Sequence, residues 1–442
     1  MQNRMFVMGM LLVAALPALA DEAVVDDVTV LAARESQPML EVPASVSRVD
    51  GEAYRHSAGV NLSEALAAVP GLSAQTRGNY AQDLQVSLRG FGARSAFGAR
   101  GIRLYADGIP ATLPDGQGQY SHFDLAGADR VEVLRGPFSA LYGNASGGVL
   151  AITTAEAGPG FGGRVTGEVG SDGFRRYALS AGDGQAGSNW IVNLAHFRTD
   201  GYRAHSAAAR STANAKWRLD LSPRTRLTLV ANAIETPEVQ DPLGLTAAQW
   251  ASDPSQAGTN AIVYNTRKQL RQQQAGATLE SALNDQWRMT LSAYAGQRHS
   301  TQYQAILKSV QALATHPGGV IDLDRRYRGA EWRVQTRQSL AGAPLTLTLG
   351  VVAEGLDEER RGYLNFVGTT LGVEGALRRN ETNRVKSLDE YLQAQWSVSP
   401  RWQVSGGVRH TGLSIRSVAH QSADARTDLS YGATNPVGAA LF

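Results

Sequence analysis

QWRMTLSAYAG, residues 286–296, alternates without a break. Trp287, Met289, Leu291, Ala293 and Ala295 fall on one side, and Arg288, Thr290, Ser292 and Tyr294 on the other. Successive side chains of a strand point to opposite faces, so a period of two over this length predicts a long strand with one apolar face. The pattern recurs. PLTLTLGVVAE (344–354) groups Leu345, Leu347, Leu349 and Val351. YLQAQWSVS (391–399) sets Leu392, Ala394, Trp396 and Val398 against Gln393, Gln395 and Ser397. WQVSGGVRH (402–410) does the same with Trp402, Val404, Gly406 and Val408. About twelve such strands, each of about ten or more residues, fit between 164 and 442.

A soluble antiparallel sheet also has one apolar and one polar face. The connections favour a membrane barrel instead. Short ones, SPRT (222–225), ALND (282–285) and SVSPR (397–401), alternate with long ones near 236–264, 299–325 and 355–385. Tight turns at one end and long loops at the other mark a transmembrane β-barrel. Trp396 and Trp402 flank one short turn and Trp287 follows another, at the height where aromatic residues form an interfacial girdle.

The rest of the chain reads differently. Residues 1–20, MQNRMFVMGMLLVAALPALA, have a basic start, a short apolar core and Ala18-Leu19-Ala20, the pattern of a cleaved export signal. Residues 21–40 form a leader that lacks the pattern of a packed element. Residues 41–158 read as an α+β domain. NLSEALAAVPG (61–71) predicts a helix capped by Asn61 or Ser63, with Leu62, Leu66 and Val69 on one face. Leu84, Val86 and Leu88 alternate as a strand, expected to pair with IRLYADGIPA (102–111), where Asp107-Gly108 marks a turn. ADRVEVLRGP (128–137) and VLAITT (149–154) are further strands, and GPGFGG (158–163) reads as a linker into the barrel (159–442).

Composition excludes several classes. The net charge of +2 gives no electrostatic case for nucleic acid. The absence of cysteine and the eight scattered histidines leave no metal site. No H-E-x-x-H, G-x-S-x-G or P-loop is present, so no enzyme and no cofactor are expected.

NLSEALAAVPGL, SLRGFG, RLYADGIP and RVEVLRGPFSALYGNASGGVLAITT (130–154) resemble the TonB-dependent outer-membrane receptors. The resemblance implies an N-terminal plug domain inside a 22-stranded barrel in the outer membrane of a Gram-negative bacterium. The chain ends at NPVGAALF, inside an apparent strand, and twelve strands enclose too little space for such a plug. The expectation is therefore the first half of a longer barrel. By the same resemblance, DDVTVLA (Asp26, Asp27, Val28, Thr29, Val30, Leu31 and Ala32) is the TonB box. It pairs in the periplasm with TonB, which works with ExbB and ExbD. Arg135-Gly136-Pro137 and Leu141-Tyr142-Gly143 hold the plug. Outer-membrane lipid and lipopolysaccharide surround a monomer.

RGFGARSAFGARGIRLYADGIPATLPDGQGQ, DGYRAHS (200–206), YNTRKQ (264–269), GGVIDLDRRYRG (318–329) and GALRRNE (375–381) resemble the branch of that family that transports pyrroloquinoline quinone. That ligand is planar with three carboxylates, which suit guanidinium forks. In the plug, loops 91–101 and 111–123 would present Arg94, Arg100, Asp115, Gln117, Gln119 and Tyr120. The barrel loops would add Tyr202, Arg203 and His205, Arg267 and Lys268, Arg325 and Arg326, and Arg378 and Arg379. Asp83 and Asp115 are the competing explanation, as an acidic wall that would satisfy Arg94 and Arg100 without a ligand. A ferric siderophore receptor is the alternative within the family. A porin or surface binding protein without TonB coupling is the alternative outside it.

Overall fold

A computed structural model describes residues 29–30, 37–38, 45–54, 57–76, 78–95, 98–135, 142–143, 145–421 and 425–442. The expected export signal lies outside the described residues. So do Asp26, Asp27, Val28, Leu31 and Ala32 of the expected TonB box, and Gly136, Pro137 and Leu141 of the plug signature. Within the leader, β1 (Thr29–Val30) pairs antiparallel with β2 (Gln37–Pro38).

The α+β domain contains β3 (Ser45–Asp50), α1 (Gly51–Tyr54), α2 (Ser63–Leu66), β4 (Leu72–Gln75), β5 (Gln85–Leu88), β6 (Ile102–Ala106), β7 (Ile109–Pro110), β8 (Ala128–Arg135) and β9 (Gly148–Thr154). Its main sheet has the order β3-β8-β9-β6-β7. Leu62, Leu66 and Val69 are buried on it with Val86, Leu88, Ile102, Leu104, Val131, Val133 and Leu150. The helix is shorter than expected. Neither Asn61 nor Ser63 caps it, and instead the Glu64 carboxylate accepts the N–H groups of Gly59, Val60 and Asn61. The expected pairing of β5 with β6 does not form. β5 pairs with β4, while β6 has both edges filled, by parallel β9 and by β7. The turn between β6 and β7 is as expected, with Asp107 at φ 48° and Gly108 at φ 79°, the left-handed pair of a tight hairpin.

Twelve strands form one antiparallel sheet in sequence order. They are β10 (Gly160–Val169), β11 (Arg175–Gln185), β12 (Ser188–Thr199), β13 (Ala208–Ser222), β14 (Thr225–Gln240), β15 (Arg267–Ala282), β16 (Trp287–Tyr303), β17 (Val320–Leu340) and β18 (Ala343–Tyr363), then, past the small hairpin β19 (Phe366–Val367) and β20 (Thr370–Leu371), β21 (Leu377–Ser399), β22 (Trp402–Ala419) and β23 (Ala425–Leu441). The number of strands agrees with the alternation. Two boundaries differ. β10 starts inside the expected linker, and the strands run on into the expected long loops, β21 reaching 23 residues. Beyond the apolar stretch the alternation continues in charged residues, which pair across strands: Arg384 Nε lies 2.6 Å from Asp357 Oδ1. What remains of the long connections is 241–266, with α3 (Ala247–Ser252) and α4 (Thr259–Val263), 304–319, with α5 (Lys308–Gln311), and 364–376.

The concave face of this wall holds the plug. On β18 the outward residues are Leu345, Leu347, Leu349, Val351 and Ala353, while Thr348, Gly350, Val352, Glu354, Leu356 and Glu358 point inward and are buried. On β21 and β22 the outward apolar band is interrupted by Glu390 and His410, opposite one another in register. Inward glycines make room for tyrosines of the neighbouring strand. A side chain at Gly296 would overlap the Tyr327 ring, and one at Gly329 the Tyr294 ring. At Gly276 the space is taken by Ile109 of the plug, which packs with Leu113 against Val230, Tyr294, Tyr327, Leu356 and Val385.

Charged pairs complete the docking. Arg103 of β6 donates to Glu354 Oε1 at 2.5 Å, and Tyr294 donates to the same oxygen at 2.6 Å. The Arg103 and Glu354 side chains are 6% and 2% exposed. The plug signature is structural in the described part. Arg135 donates to the Pro70 carbonyl and to Ser47 Oγ, and Gly143 lies against the guanidinium of Arg409, which pairs with Asp389. Removing one partner of a buried ion pair leaves the other uncompensated. Arg103→Ala should therefore weaken plug docking by about 3–5 kcal/mol. The measurement is protease exposure of the plug along a urea titration. Arg103→Met combined with Glu354→Leu should lose less than Arg103→Ala alone.

Candidate functional site

Two plug loops, 89–101 and 111–119, are drawn together on the long-loop side. Ala99 and Thr112 each bridge to Gly118. Gly98 has φ 62° and lies so close to the Gly118 carbonyl that a side chain there would overlap it. These glycines allow the loops to touch backbone to backbone.

The predicted plug residues then divide. Arg94 is exposed and makes no ion pair or hydrogen bond among the described residues. Arg100 is exposed and donates once, at 3.3 Å, to the backbone carbonyl of Asp115. The Asp115 carboxylate does not pair with either. It accepts the Gln117 N–H at 3.0 Å and so closes its own turn. Gln117 Oε1 receives Arg325 at 2.5 Å and Gln119 at 3.1 Å. Gln119 is buried. Tyr120 is half-buried, and its hydroxyl has no hydrogen-bond partner among the described residues. Burial raises its pKa, and the nearby Asp83 carboxylate raises it further.

Asp83 is not the acidic wall of Arg94 and Arg100. Lys268 of β15 donates to it at 2.7 Å. The pair lines a small cavity of 110 Å³ between plug and wall, with Tyr80, Tyr120, Arg210 and Arg298. Arg298 is tied there to Ser121 Oγ at 2.6 Å and to Gln272. Lys268 is thus a plug anchor in this structure.

The barrel candidates sit elsewhere. Tyr202, Arg203 and His205 line a shallow pocket of 480 Å³ with Asp253, Ser255, Gln256 and Ile262, and no plug residue lines it. Arg203 spends its guanidinium on the carbonyls of Gln256, Leu243 and Pro242, and His205 Nε2 lies 2.8 Å from the Thr266 carbonyl. Tyr202 is 61% exposed. Arg378 donates to the Leu313 carbonyl, and Arg379 pairs with Glu381. Arg267 donates to Gly372 and covers the Tyr303 ring at 3.5 Å. Arg325 binds Glu358 as well as Gln117, while Arg326 points outward from the wall. Among the described residues, the predicted cations left without a carboxylate partner on the long-loop side of the plug are therefore Arg94 and Arg100, while Arg326 is also unpaired but faces outward. The anchors Arg103, Glu354, Tyr294 and Arg298 had no distinguishing signal in the sequence beyond an ionisable or aromatic residue at an inward position of a strand. Among the described residues no cluster of histidine and carboxylate suits a metal. A larger polar cavity of 960 Å³ lies at the short-turn end, lined by Asp107, Glu156, Lys216, Arg218 and Arg333 among others.

Residues 38–149 match the family model described as the TonB-dependent receptor plug domain, and residues 217–442 match that of the TonB-dependent receptor-like β-barrel. The chain belongs to the TonB-dependent receptors. It is 35% identical over 188 residues to a vitamin B12 transporter, BtuB, of Photobacterium profundum, covering 42% of this chain and 30% of that protein. It is 30% identical over 148 residues to BtuB of Vibrio vulnificus, covering 33% and 23%. The solved ferric citrate transporter FecA, unliganded, superposes with a TM-score of 0.77 at 19% identity, over 91% of this chain and 60% of that one. The ferric yersiniabactin uptake receptor FyuA of Yersinia pestis superposes with a TM-score of 0.67 at 19% identity, covering 90% and 61%. The chain thus spans less than two thirds of each of these proteins.

Asp83 gives a pH prediction. Burial would raise its pKa, but the Lys268 and Arg298 cations and the Gly98 N–H outweigh it and hold the carboxyl below the ordinary value. A lowered carboxyl stabilises the docked plug fully above the unfolded value of about 3.9, and loses that contribution as pH falls through the native value. Plug release followed by proteolysis should show an acid step below about pH 4. Asp83→Asn should remove that step while leaving the profile above it unchanged in shape.

Proposed function

We propose that the chain is the plug-bearing part of an importer that draws a small anionic solute through the outer membrane of a Gram-negative bacterium at the expense of TonB. The observation that carries the solute's charge is the pair Arg94 and Arg100. Both are exposed at the apex of the plug, and neither has a carboxylate partner among the described residues. Guanidinium groups free of internal carboxylates are ready to take carboxylates from a ligand, and two of them a few residues apart suit a polyanion.

Pyrroloquinoline quinone is the proposed substrate. PDGQGQ and ALRRNE support it by resemblance, and two guanidinium groups suit a planar tricarboxylate. The ferric siderophore reading rests on the same two cations, since ferric chelates are also anionic. The relatives named as vitamin B12 transporters add cobalamin to the comparison. In the proposed cycle, ligand binding on the long-loop side frees the leader for TonB, which adds a strand to residues 26–32. Traction through β3 then loosens a plug held largely by polar contacts, and the solute leaves by the polar cavity at the short-turn end.

Titration in detergent with pyrroloquinoline quinone, ferric citrate and cobalamin tests the substrate. Saturable binding of the quinone alone is the expected result, and binding of only an iron chelate or cobalamin would reject the assignment. Arg94→Ala and Arg100→Ala should each weaken binding by about 1–3 kcal/mol. Unchanged affinity in both would remove the plug apex from the site. Deleting residues 26–32 should abolish uptake by cells and leave binding in detergent intact. Uptake that survives the deletion would favour a passive pore.

A further inference from the structure

Two arginines of the wall face the plug without a carboxylate partner among the described residues. Arg210 on β13 is opposite Phe197 on β12, and Arg298 on β16 is 6% exposed. Both line the 110 Å³ cavity between plug and wall. Arg298 spends one nitrogen on two neutral acceptors, Ser121 Oγ at 2.6 Å and Gln272. Arg210 donates to the Val60 carbonyl, and its guanidinium carbon lies 5.1 Å from the centre of the Phe197 ring. A guanidinium carries five N–H donors, so most of these stay unspent. Tyr120 lines the same cavity from the plug, and its buried hydroxyl has no partner among the described residues.

The carboxylates nearby are committed elsewhere. Asp83, which lines the cavity, takes Lys268 at 2.7 Å. Glu64 and Asp124 attract Arg210 through space without forming an ion pair with it. Glu64 accepts the N–H groups of Gly59, Val60 and Asn61. Burial raises the pKa of Asp124 and so favours its neutral form. Arg176, the next cation beyond, is held by Glu168 at 3.1 Å. Two guanidinium groups and a phenol O–H thus border one cavity whose own carboxylate is occupied by a lysine. Charge taken out of water is costly unless it is paired.

We propose that this cavity binds a monovalent inorganic anion of the chloride class, held by Arg210 and Arg298 of the wall and by the Tyr120 hydroxyl of the plug. The ion bridges the two bodies and latches the plug to the wall at β13 and β16. One water needs about 10–15 Å³ of such space, so the cavity admits a small ion with a few waters and excludes a tricyclic solute. The donors come from three separate elements rather than from one fork, which suits a sphere. Leu62, Leu84, Phe123, Ile234 and Leu270 also line the cavity, and such walls disfavour the more highly charged phosphate. The site is independent of the imported solute.

Diffraction from crystals grown in sodium bromide, recorded at the bromine edge, reads the site directly. An anomalous peak touching Tyr120 Oη, Arg210 and Arg298 is the expected result, and its absence overturns the proposal. In solution, protease exposure of the plug along a urea titration is compared in sodium chloride, gluconate and phosphate at equal ionic strength. Chloride should delay plug release relative to gluconate. Tyr120→Phe should raise the chloride concentration for half of that effect about tenfold. In gluconate the variant should match the native protein, whereas a tyrosine with only a packing role would show the same difference in every salt. Equal release in chloride and gluconate rejects the site, as does a chloride effect that Tyr120→Phe leaves unchanged. Protection by phosphate and not by chloride assigns the cavity to an oxyanion and rejects the halide. A negative result leaves the importer reading as it stands.

Discussion

The structure depends on one constraint: a folded domain of over a hundred residues is held against a wall whose inner face is polar. Each charged group taken out of water at that interface needs a partner. Arg103 with Glu354, Lys268 with Asp83, Arg325 with Gln117, and Arg298 with Ser121 meet the requirement. Each pairs a plug residue with a barrel residue. An interface of this kind fixes position more than it adds stability, because the desolvation cost nearly cancels the attraction. It also comes apart more readily than an apolar core of equal area, since water can take up each exposed partner.

Apolar contact plays a smaller and more local part. Ile109 and Leu113 insert where the wall thins to glycine at Gly276, and the tyrosines around them fill the space above Gly296 and Gly329. The hairpin that carries Ile109 is the same one that carries Asp107 and Gly108, so a turn chosen for backbone reasons also sets the depth of the plug. Through Arg103, its first strand joins the charged interface as well. Depth and rotation of the plug are thus set by neighbouring residues of a single hairpin.

Satisfying the interface leaves a remainder. Most polar side chains near the plug apex have partners: Gln117, Gln119 and Asp115 are engaged within the protein. Arg94 and Arg100 are left facing solvent, and on the opposite face of the wall Arg326 and Lys386 are left in the same condition. Both pairs are surplus charge that the interface between plug and wall does not use.

Much of this was legible in the sequence. Alternation over ten or more residues determined which side of each strand faces outward and which faces the plug, since side-chain direction in a strand is a local property. The count of twelve strands, the short turns and the Asp107-Gly108 hairpin followed for the same reason. Pairing between distant segments was not legible. β5 meets β4 rather than β6 because β6 was already flanked by β7 and β9, a competition among strands that no single segment records. The candidate site divided along the same line. Arginine-rich and glycine-rich loops could be found by composition. Which arginines would be spent on carbonyls, as Arg203 and Arg378 are, and which left free, as Arg94 is, was decided only when the loops packed against one another. A side chain's chemistry is written in the sequence, but whether it has a partner depends on distances that only the tertiary structure sets.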